Sequence, residues 1–370
     1  MKIAILGTRG IPNAYGGFEQ FAEYLSVGLV ERGHSVTVYN ASFHEYAGDS
    51  YNGVTIRKIY SPEKLIGAPA NFIYDFLCLW DALKRDFDII YELGYHSNAP
   101  SYYLLKKDSP LVITNMDGIE WKRSKWNGFT RHLIRRMERI AVKKSDYLVS
   151  DNPAIRDYYL HDFGKKSSYI PYGADAVSDF DEKLLSEYNV TPHYYFLLIA
   201  RMEPENNIEM ILNGFIESGS LYPFLVIGNV DTKYGKFLQQ HYHTSKIRFL
   251  GAIYNKNILD NLRHFSRIYF HGHSVGGTNP SLLEAMASQS VIAAHDNRFN
   301  RAILDIDAFY FKNSDDVSEL IKNGFPSEFN VGVYLKNNLV KIEQTYSWGN
   351  IISQYENLFY KLLKVKNMNK

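Results

Sequence analysis

The sequence predicts an α/β protein made of two doubly wound domains, each a parallel sheet with crossover helices. Three observations carry this. The chain has 370 residues, a length that favours two domains, each able to bury its own core. Short apolar runs alternate with helical patterns along almost all of it, as parallel strands joined by helices require. The alternation then restarts after residues 171–192, a stretch with prolines and weak strand signals where the chain crosses between domains.

In order along the first half, apolar runs predict strands at Lys2 to Leu6, Ser35 to Tyr39, Val54 to Ile59, Ile89 to Glu92, Leu111 to Asn115 and Tyr147 to Ser150. The clearest helix follows Gly16-Gly17, with Phe18, Phe21, Leu25 and Leu29 along one face and Gly33 placed to end it. In the second half strands are predicted at Tyr195 to Ala200, Phe224 to Ile227, Ile247 to Leu250, Ile268 to Phe270 and Val291 to Ala294. The domains are read as residues 1–171 and 172–346. A terminal helix at about 347–365, with Trp348, Ile351, Ile352, Tyr355, Phe359 and Leu362 on one stripe, packs back on the first. Two such domains face an interdomain cleft lined by the carboxyl ends of both sheets, where ligands of open α/β sheets bind.

Composition narrows the function. Lys plus Arg number 41 and Asp plus Glu 40, so the chain lacks the basic excess of a protein that tracks nucleic acid, and no nucleic-acid partner is expected. The single cysteine, Cys78, excludes an internal disulfide, and no Cys/His spacing builds a metal site, so neither metal nor other cofactor is expected. The N-terminal apolar run is too short for a secretory signal. The longest aromatic-apolar stretch, Asn71 to Leu83, is interrupted by Asp75 and Asp81, short of the ~20 apolar residues of a spanning helix. The expected location is the cytoplasm. Aromatic residues reach 15%, 29 of them Tyr, side chains suited to stacking and to wet interfaces.

Three segments could carry chemistry. Gly7 to Glu19 is a long loop between the first strand and the first helix. It lacks the Gly-x-Gly-x-x-Gly of a dinucleotide fingerprint, but Gly16-Gly17 at a helix N-terminus can meet an anion, with Arg9 as a cationic partner. The plain alternative is a loop that needs glycine dihedrals. Arg201-Met202-Glu203-Pro204-Glu205-Asn206-Asn207 follows a strand directly and aims a guanidinium at a diphosphate, or else pairs Arg201 with Glu203 or Glu205 at the surface. The third segment is His271-Gly272-His273-Ser274-Val275-Gly276-Gly277-Thr278-Asn279-Pro280, leading into Ser281-Leu282-Leu283-Glu284-Ala285-Met286-Ala287. Asn279 is a good N-cap and Pro280 a good first helical residue, so amides at Gly276, Gly277 and Thr278 open a helix onto a pyrophosphate. Glu284, just over one turn in, is placed for ribose hydroxyls. His271 and His273 have no carboxylate or thiolate companion that would make them metal ligands.

Taken together, Gly16-Gly17-Phe18-Glu19, Arg201-Met202-Glu203-Pro204-Glu205, Phe249-Leu250-Gly251 and Glu284-Ala285-Met286 make the chain resemble glycosyltransferase family four, over nearly its whole length. The resemblance implies a GT-B fold and a retaining, nucleotide-sugar-dependent transferase. Asn115 to Arg123 and His273 to Met286 resemble more narrowly the bacterial β-1,4-L-rhamnosyltransferase-like subgroup, which builds surface polysaccharide from dTDP-rhamnose on a lipid-pyrophosphate-linked saccharide. On that basis the nucleotide sugar is expected at Gly16, Gly17, Arg201, Asn206, Gly251, Ala252, Ile253, His273, Gly276, Gly277, Thr278, Asn279 and Glu284. The base lies near Gly251 to Ile253, and the acceptor meets Arg9, Tyr15, His96 and Glu120. Catalysis falls to Arg201, Asp117 and Asp151. Asp117 either accepts a hydroxyl proton or only hydrogen-bonds a sugar, and both aspartates have a helix cap or turn as the plain alternative.

The chain departs from the family in three places. The first of its two spaced glutamates is replaced by Gly276, the lysine after Pro-Glu by Asn206, and a common histidine by Asp117. A further feature bears on partners. From Lys122 to Lys144 nine Lys or Arg stand against one acid, Glu138, after Trp121 and with Trp126 and Phe129 near the start. Arg131, Arg135 and Arg139 share one helical face; Phe129, Leu133, Met137 and Ile140 share another. Residues 121–144 therefore read either as a helix lying on an anionic membrane or as a domain helix with a solvated basic side. The first reading places the protein peripherally on the inner face of the cell membrane. Alternatives to the rhamnosyl donor are another UDP- or GDP-sugar, a GT-B epimerase, or a catalytically silent nucleotide- or saccharide-binding protein.

Overall fold

The computed structural model describes residues 1–14, 16–116, 118–123, 126–324 and 331–368. Two compact units divide the chain: Met1–Lys122 with Trp126–Tyr172 and Trp348–Lys370, and Arg123–Lys125 with Gly173–Ser347.

The first unit runs β1 (Lys2–Leu6), α1 (Gly17–Glu31), β2 (Ser35–Ala41), β3 (Ser50–Tyr51), β4 (Val54–Ile59), α2 (Glu63–Ile66), α3 (Ala70–Ala82), β5 (Ile89–Leu93), β6 (Leu111–Asn115), α4 (Gly128–Lys144), β7 (Tyr147–Ser150), α5 (Pro153–Phe163) and β8 (Ser167–Tyr169). Its strands lie in the order β3-β4-β2-β1-β5-β6-β7-β8, parallel except where β3 meets β4. Ile3 pairs with Val36 on one side and Ile89 on the other. The chain winds outward from β1 through β2 to β4, then returns to β5 and winds the other way, so the order reverses between β1 and β5. Right-handed crossovers put α1 on one face and α3, α4 and α5 on the other. With both faces covered, β5 and β6 are buried throughout.

The last helix of the chain, α13 (Trp348–Met368), covers the α1 face. Trp348 stacks on Tyr24 with ring centroids 4.5 Å apart, and the Tyr91 hydroxyl donates to that of Tyr355 at 2.8 Å. Trp348, Ile351, Ile352, Tyr355 and Phe359 are all buried, which explains the apolar stripe read in sequence.

The second unit runs β9 (Phe196–Ile199), α6 (Ile208–Ser218), β10 (Phe224–Ile227), α7 (Lys233–His241), β11 (Ile247–Gly251), α8 (Lys256–His264), β12 (Ile268–His271), α9 (Pro280–Ala287), β13 (Ile292–His295), α10 (Arg298–Leu304), β14 (Phe309–Phe311), α11 (Ser314–Asn323) and α12 (Val331–Lys341). The sheet order is β11-β10-β9-β12-β13-β14, all parallel, and reverses between β9 and β12. Phe196, Phe224 and Phe270 of three adjacent strands pack with Phe215 of α6 in its core.

The helix read after Gly16-Gly17 begins at Gly17 and ends before Gly33. The sequence reading left three short strands, β3, β8 and β14, unassigned, because two or three residues are too few to show a period. The interrupted stretch from Asn71 is helix α3: Asp75 is buried beneath it, and Asp81 accepts from Tyr39, Arg57 and Arg85. Among the described residues no helix is long and apolar enough to cross a membrane.

Candidate functional site

A doubly wound sheet opens a crevice where its strand order reverses, because the two loops there lead to opposite sides. In the second unit those loops are residues 200–207 after β9 and 272–279 after β12, two of the segments singled out in sequence. They are tied together. Asn207 Nδ2 donates to the Gly272 carbonyl at 2.7 Å, and the Ser274 amide and hydroxyl both donate to the Glu205 carbonyl, at 3.0 and 2.8 Å. Asn206 Nδ2 donates to the Arg201 carbonyl at 2.7 Å, leaving its Oδ1 to accept from His273 Nδ1 at 3.0 Å. That bond fixes the tautomer of His273 and leaves the lone pair on Nε2. Burial, His271 and the Arg123 and Arg201 charges push the His273 pKa well below the usual histidine range, so the ring is neutral.

Two glycines make this packing possible. A Cβ at Gly272 would lie 1.9 Å from the Asn206 carbonyl oxygen. Gly276 has φ +135°, and a Cβ there would lie 2.9 Å from His273 Nε2. A glutamate at 276, the pattern of the resembled family, does not suit this backbone. Gly276, Gly277 and Thr278 are buried. After them α9 starts as expected, with Pro280 in its first turn and the Asn279 side chain accepting from the Ser281 amide at 2.9 Å.

Charges gather around these loops. Arg201 is two-thirds exposed and only loosely paired, 3.7 Å from Glu203. Arg123, whose short stretch Arg123–Lys125 groups with this unit, is buried, with Nη1 3.4 Å from Glu205 Oε1 and 3.6 Å from Glu203 Oε2. The sequence reading counted Arg123 among surface cations; its place at the end of the Asn115 to Arg123 motif is the signal that could have found it. Glu284 also differs from expectation, because it forms an ion pair. Arg263, fully buried, donates Nη2 to Glu284 Oε2 at 2.5 Å and to Ser281 at 3.2 Å, and lies 3.4 Å from Asp260. Burial opposes the Arg263 charge, but Glu284 and Asp260 more than offset it. Gly251 ends the edge strand β11 and Ala252 and Ile253 follow it, at the same end of the sheet but separated from β9 by β10.

The first unit reverses between β1 and β5, so the loop after β1 and the segment holding His96 flank its crevice. The first loop is already satisfied by carboxylates. Glu19 Oε1 accepts from Thr8 Oγ1 at 3.2 Å and from the Arg9 amide at 2.9 Å. The Arg9 guanidinium grips Glu63 with two bonds of 3.1 and 2.6 Å. Arg9, expected as a cationic partner for an anion, has its charge met by Glu63 in this structure. Gly16 precedes α1 in an extended conformation without a side-chain cap, and Gly17 is the first helical residue. His96 is exposed; Glu120 is buried and accepts from Trp126 Nε1 at 3.2 Å. Tyr15 and Asp117 lie outside the described residues.

Asp151 is almost fully enclosed, within electrostatic reach of Tyr91 and Tyr355 beneath α13. The cap expected of it belongs to Asn152, which accepts from the Ala154 amide at 2.9 Å. The sequence reading also missed Glu92 on β5 and Asp75 on α3, both buried. Burial lifts the Glu92 carboxyl to about 8, with the Asp75 charge adding to it and an Asn98 bond of 2.8 Å opposing. Burial likewise lifts Asp75 to about 7.

In the basic segment, α4 buries Ile134, Met137, Glu138 and Ala141. Its one acid is not on the surface: Glu138 accepts from the hydroxyls of Tyr158 and Tyr159 at 3.1 and 3.0 Å. Phe129, Leu133, Arg131, Arg135 and Arg139 face solvent, so apolar and basic residues share the outer side rather than opposing each other. Lys125 lies outside the described residues. Among those described, no group of three or more His, Cys, Asp or Glu is placed to hold a metal.

Comparison with known proteins places these features in a fold. Residues 1–175 match a family described as a domain of unknown function, DUF1972. No curated protein matches the chain in sequence. Solved structures match over nearly its full length. Sucrose-phosphate synthase from Thermosynechococcus elongatus is similar at 14% identity and a TM-score of 0.78, covering 98% of this chain and 99% of that one. Anabaena HepE in complex with UDP-glucose gives 12% and 0.73 over 98% and 100%. The catalytic domain of starch synthase IV from Arabidopsis thaliana, bound to ADP and acarbose, gives 14% and 0.73 over 98% and 99%. The chain has the GT-B fold.

Proposed function

We propose that the chain is a retaining, nucleotide-sugar-dependent hexosyltransferase. Its donor is dTDP-rhamnose and its acceptor a lipid-pyrophosphate-linked saccharide of bacterial surface polysaccharide synthesis. The observation that carries the reading is the pair of interlocked loops at the reversal of the second sheet, with Arg201, Arg123 and the N-terminus of α9 converging on it. Such a place suits a nucleoside diphosphate: helix amides and guanidinium groups meet negative charge as the bond to the sugar breaks. Two of the similar structures carry UDP-glucose and ADP. In this reading Arg201 and Arg123 stabilise the leaving diphosphate, and a metal is not required.

Glu284, held in place by Arg263, accepts from the ribose. His273, bonded through Nδ1 to Asn206, orders the loops beside the donor sugar, and the base lies toward Gly251 to Ile253. Asp117 meets the acceptor hydroxyl, as a base or as a sugar ligand, and His96 also binds the acceptor. The solvent-facing cations of α4 attach the protein to the inner face of an anionic membrane, each adding about 1 kcal/mol near the surface.

The test is thermal unfolding with dTDP, UDP, GDP and NAD at matched concentrations. A ligand at 100 times its Kd adds about 2.7 kcal/mol to stability. The largest shift is expected with dTDP and should be lost in Arg201→Ala and Glu284→Ala. Preference for UDP or GDP would replace the donor, and no response to any nucleotide would overturn the transferase reading. Product analysis with and without a lipid-linked acceptor then separates transfer from epimerisation and from binding without turnover.

A further inference from the structure

On a helix that covers a sheet, the outer side is normally polar and the inner side apolar. The α2–α3 segment breaks this rule. Between residues 64 and 80 the exposed positions are Leu65, Ile66, Phe72, Ile73, Phe76 and Trp80, with Gly67, Ala68 and Pro69 between the helices and Lys64 as the one charge. Leu65 is 80% exposed. The acids of the segment are turned away from this side: Glu63 is gripped by Arg9, Asp75 is buried, and Asp81 is held by Tyr39, Arg57 and Arg85. Large apolar side chains in an unbroken outward stripe mark an interaction surface.

What surrounds the stripe says what covers it. Lys64 precedes it, and Lys84 at its far end lies over the Trp80 ring, 2.9 Å from the centroid. The same face of the sheet carries the 3-10 turn Ala99–Leu104, which packs against both α3 and α4. There Tyr103 is exposed with the Lys144 ammonium 4.9 Å from its ring centre, and Lys106 and Lys107 follow it into solvent. Beyond lies the cationic outer side of α4, where Phe129 is 81% exposed. An apolar stripe rimmed by lysines whose stems can lie along it matches an anionic bilayer, with acyl chains below and phosphates at the rim. A two-fold pairing of this surface with itself would bring the same cations together.

We infer that α2–α3 is the element that enters the lipid, and that α4 supplies the charge around it. This rests on the membrane attachment proposed above and moves its apolar part from residues 121–144 to residues 64–80. The bond from Arg9 to Glu63 ties the inserted end to the loop after β1.

The experiment is flotation of the full chain with vesicles of phosphatidylcholine, with and without phosphatidylglycerol, at low and high salt. The native chain should float with the anionic vesicles, part of the binding surviving high salt, and brominated lipid should quench a fluorescence component that Trp80→Phe removes. Leu65→Ser with Phe72→Ser and Phe76→Ser, all exposed positions, should abolish the salt-resistant part, about tenfold or more in partitioning. Arg131→Glu with Arg135→Glu and Arg139→Glu should remove only the salt-sensitive part. The inference is overturned if the triple serine variant floats like the native chain, if the native chain floats with neither vesicle, or if it is a dimer that the serine variant splits. Nucleotide-induced thermal shifts, measured on each variant without vesicles, report separately on the donor reading.

Discussion

Glu92 and Asp75 are single residues that tie stability to pH. An unfolded glutamate titrates near pH 4.3, whereas burial and the Asp75 charge lift Glu92 to about 8 in the fold. Between those values the folded chain keeps a proton that the unfolded chain has released. Stability is therefore greatest on the acid side of the window and falls as pH rises toward about 8. Melting temperature should drop from about pH 5 to pH 8.5, on the order of a few kcal/mol in stability. Glu92→Gln, which keeps the shape without titrating, should flatten that drop; an equally steep fall in the variant would remove Glu92 as its source. Gly276 gives a second prediction at this scale. With φ +135° and the His273 ring beside it, Gly276→Glu should cost roughly 1–3 kcal/mol by chemical denaturation without strengthening nucleotide binding. Tighter binding in this variant would mean that the loop accepts a glutamate. The replacement at 276 was visible in sequence; the backbone that requires it was not.

At the scale of elements, the two loops at the β9/β12 reversal behave as one unit because Gly272 lets them touch. Gly272→Ala sets a methyl group 1.9 Å from the Asn206 carbonyl oxygen, a backbone clash that a rotamer change cannot relieve. The variant should lose about 1–3 kcal/mol and also its nucleotide-induced thermal shift; retention of the full shift would show that the loops bind independently. The sequence placed both loops after strands and foresaw the α9 cap, since Asn-Pro before an apolar run is a local signal. It did not foresee that Asn206 bridges the loops or that Arg263, on α8, pairs with Glu284, because neither contact has a local pattern. Amphipathy misled in a related way. On α4 the periodicity set basic and apolar faces against each other, while Glu138 turns inward to two tyrosines. On α3 the two aspartates looked like interruptions of an apolar run, yet neither opens the outward stripe to charge.

At the scale of the whole molecule, the chain leaves its first unit after Tyr172 and returns to it with α13. Trp348, Ile351, Tyr355 and Phe359 are buried there, each worth about 1.5–3 kcal/mol on burial, a sum comparable with the ~5–15 kcal/mol stability of a typical domain. A chain ending at Ser347 should therefore lose the cooperative calorimetric transition of the first unit and bind a hydrophobic dye. An unchanged calorimetric trace would show that α13 only decorates the unit.

The sequence by itself determined the α/β class, most of the longer strands, the first and last helices and the loops that carry the candidate chemistry. Each of these is written in neighbouring residues: an apolar run, a helical period, a glycine or a cap. Only the tertiary structure decided the partners of the charges. Arg9 is satisfied by Glu63, Arg123 lies between Glu203 and Glu205, Arg263 holds Glu284, and burial pushes the carboxyls of Asp75 and Glu92 upward. The physical reason is that charge and pKa depend on what lies within a few ångströms in space, and those neighbours are up to 82 residues apart along the chain, as from Arg123 to Glu205.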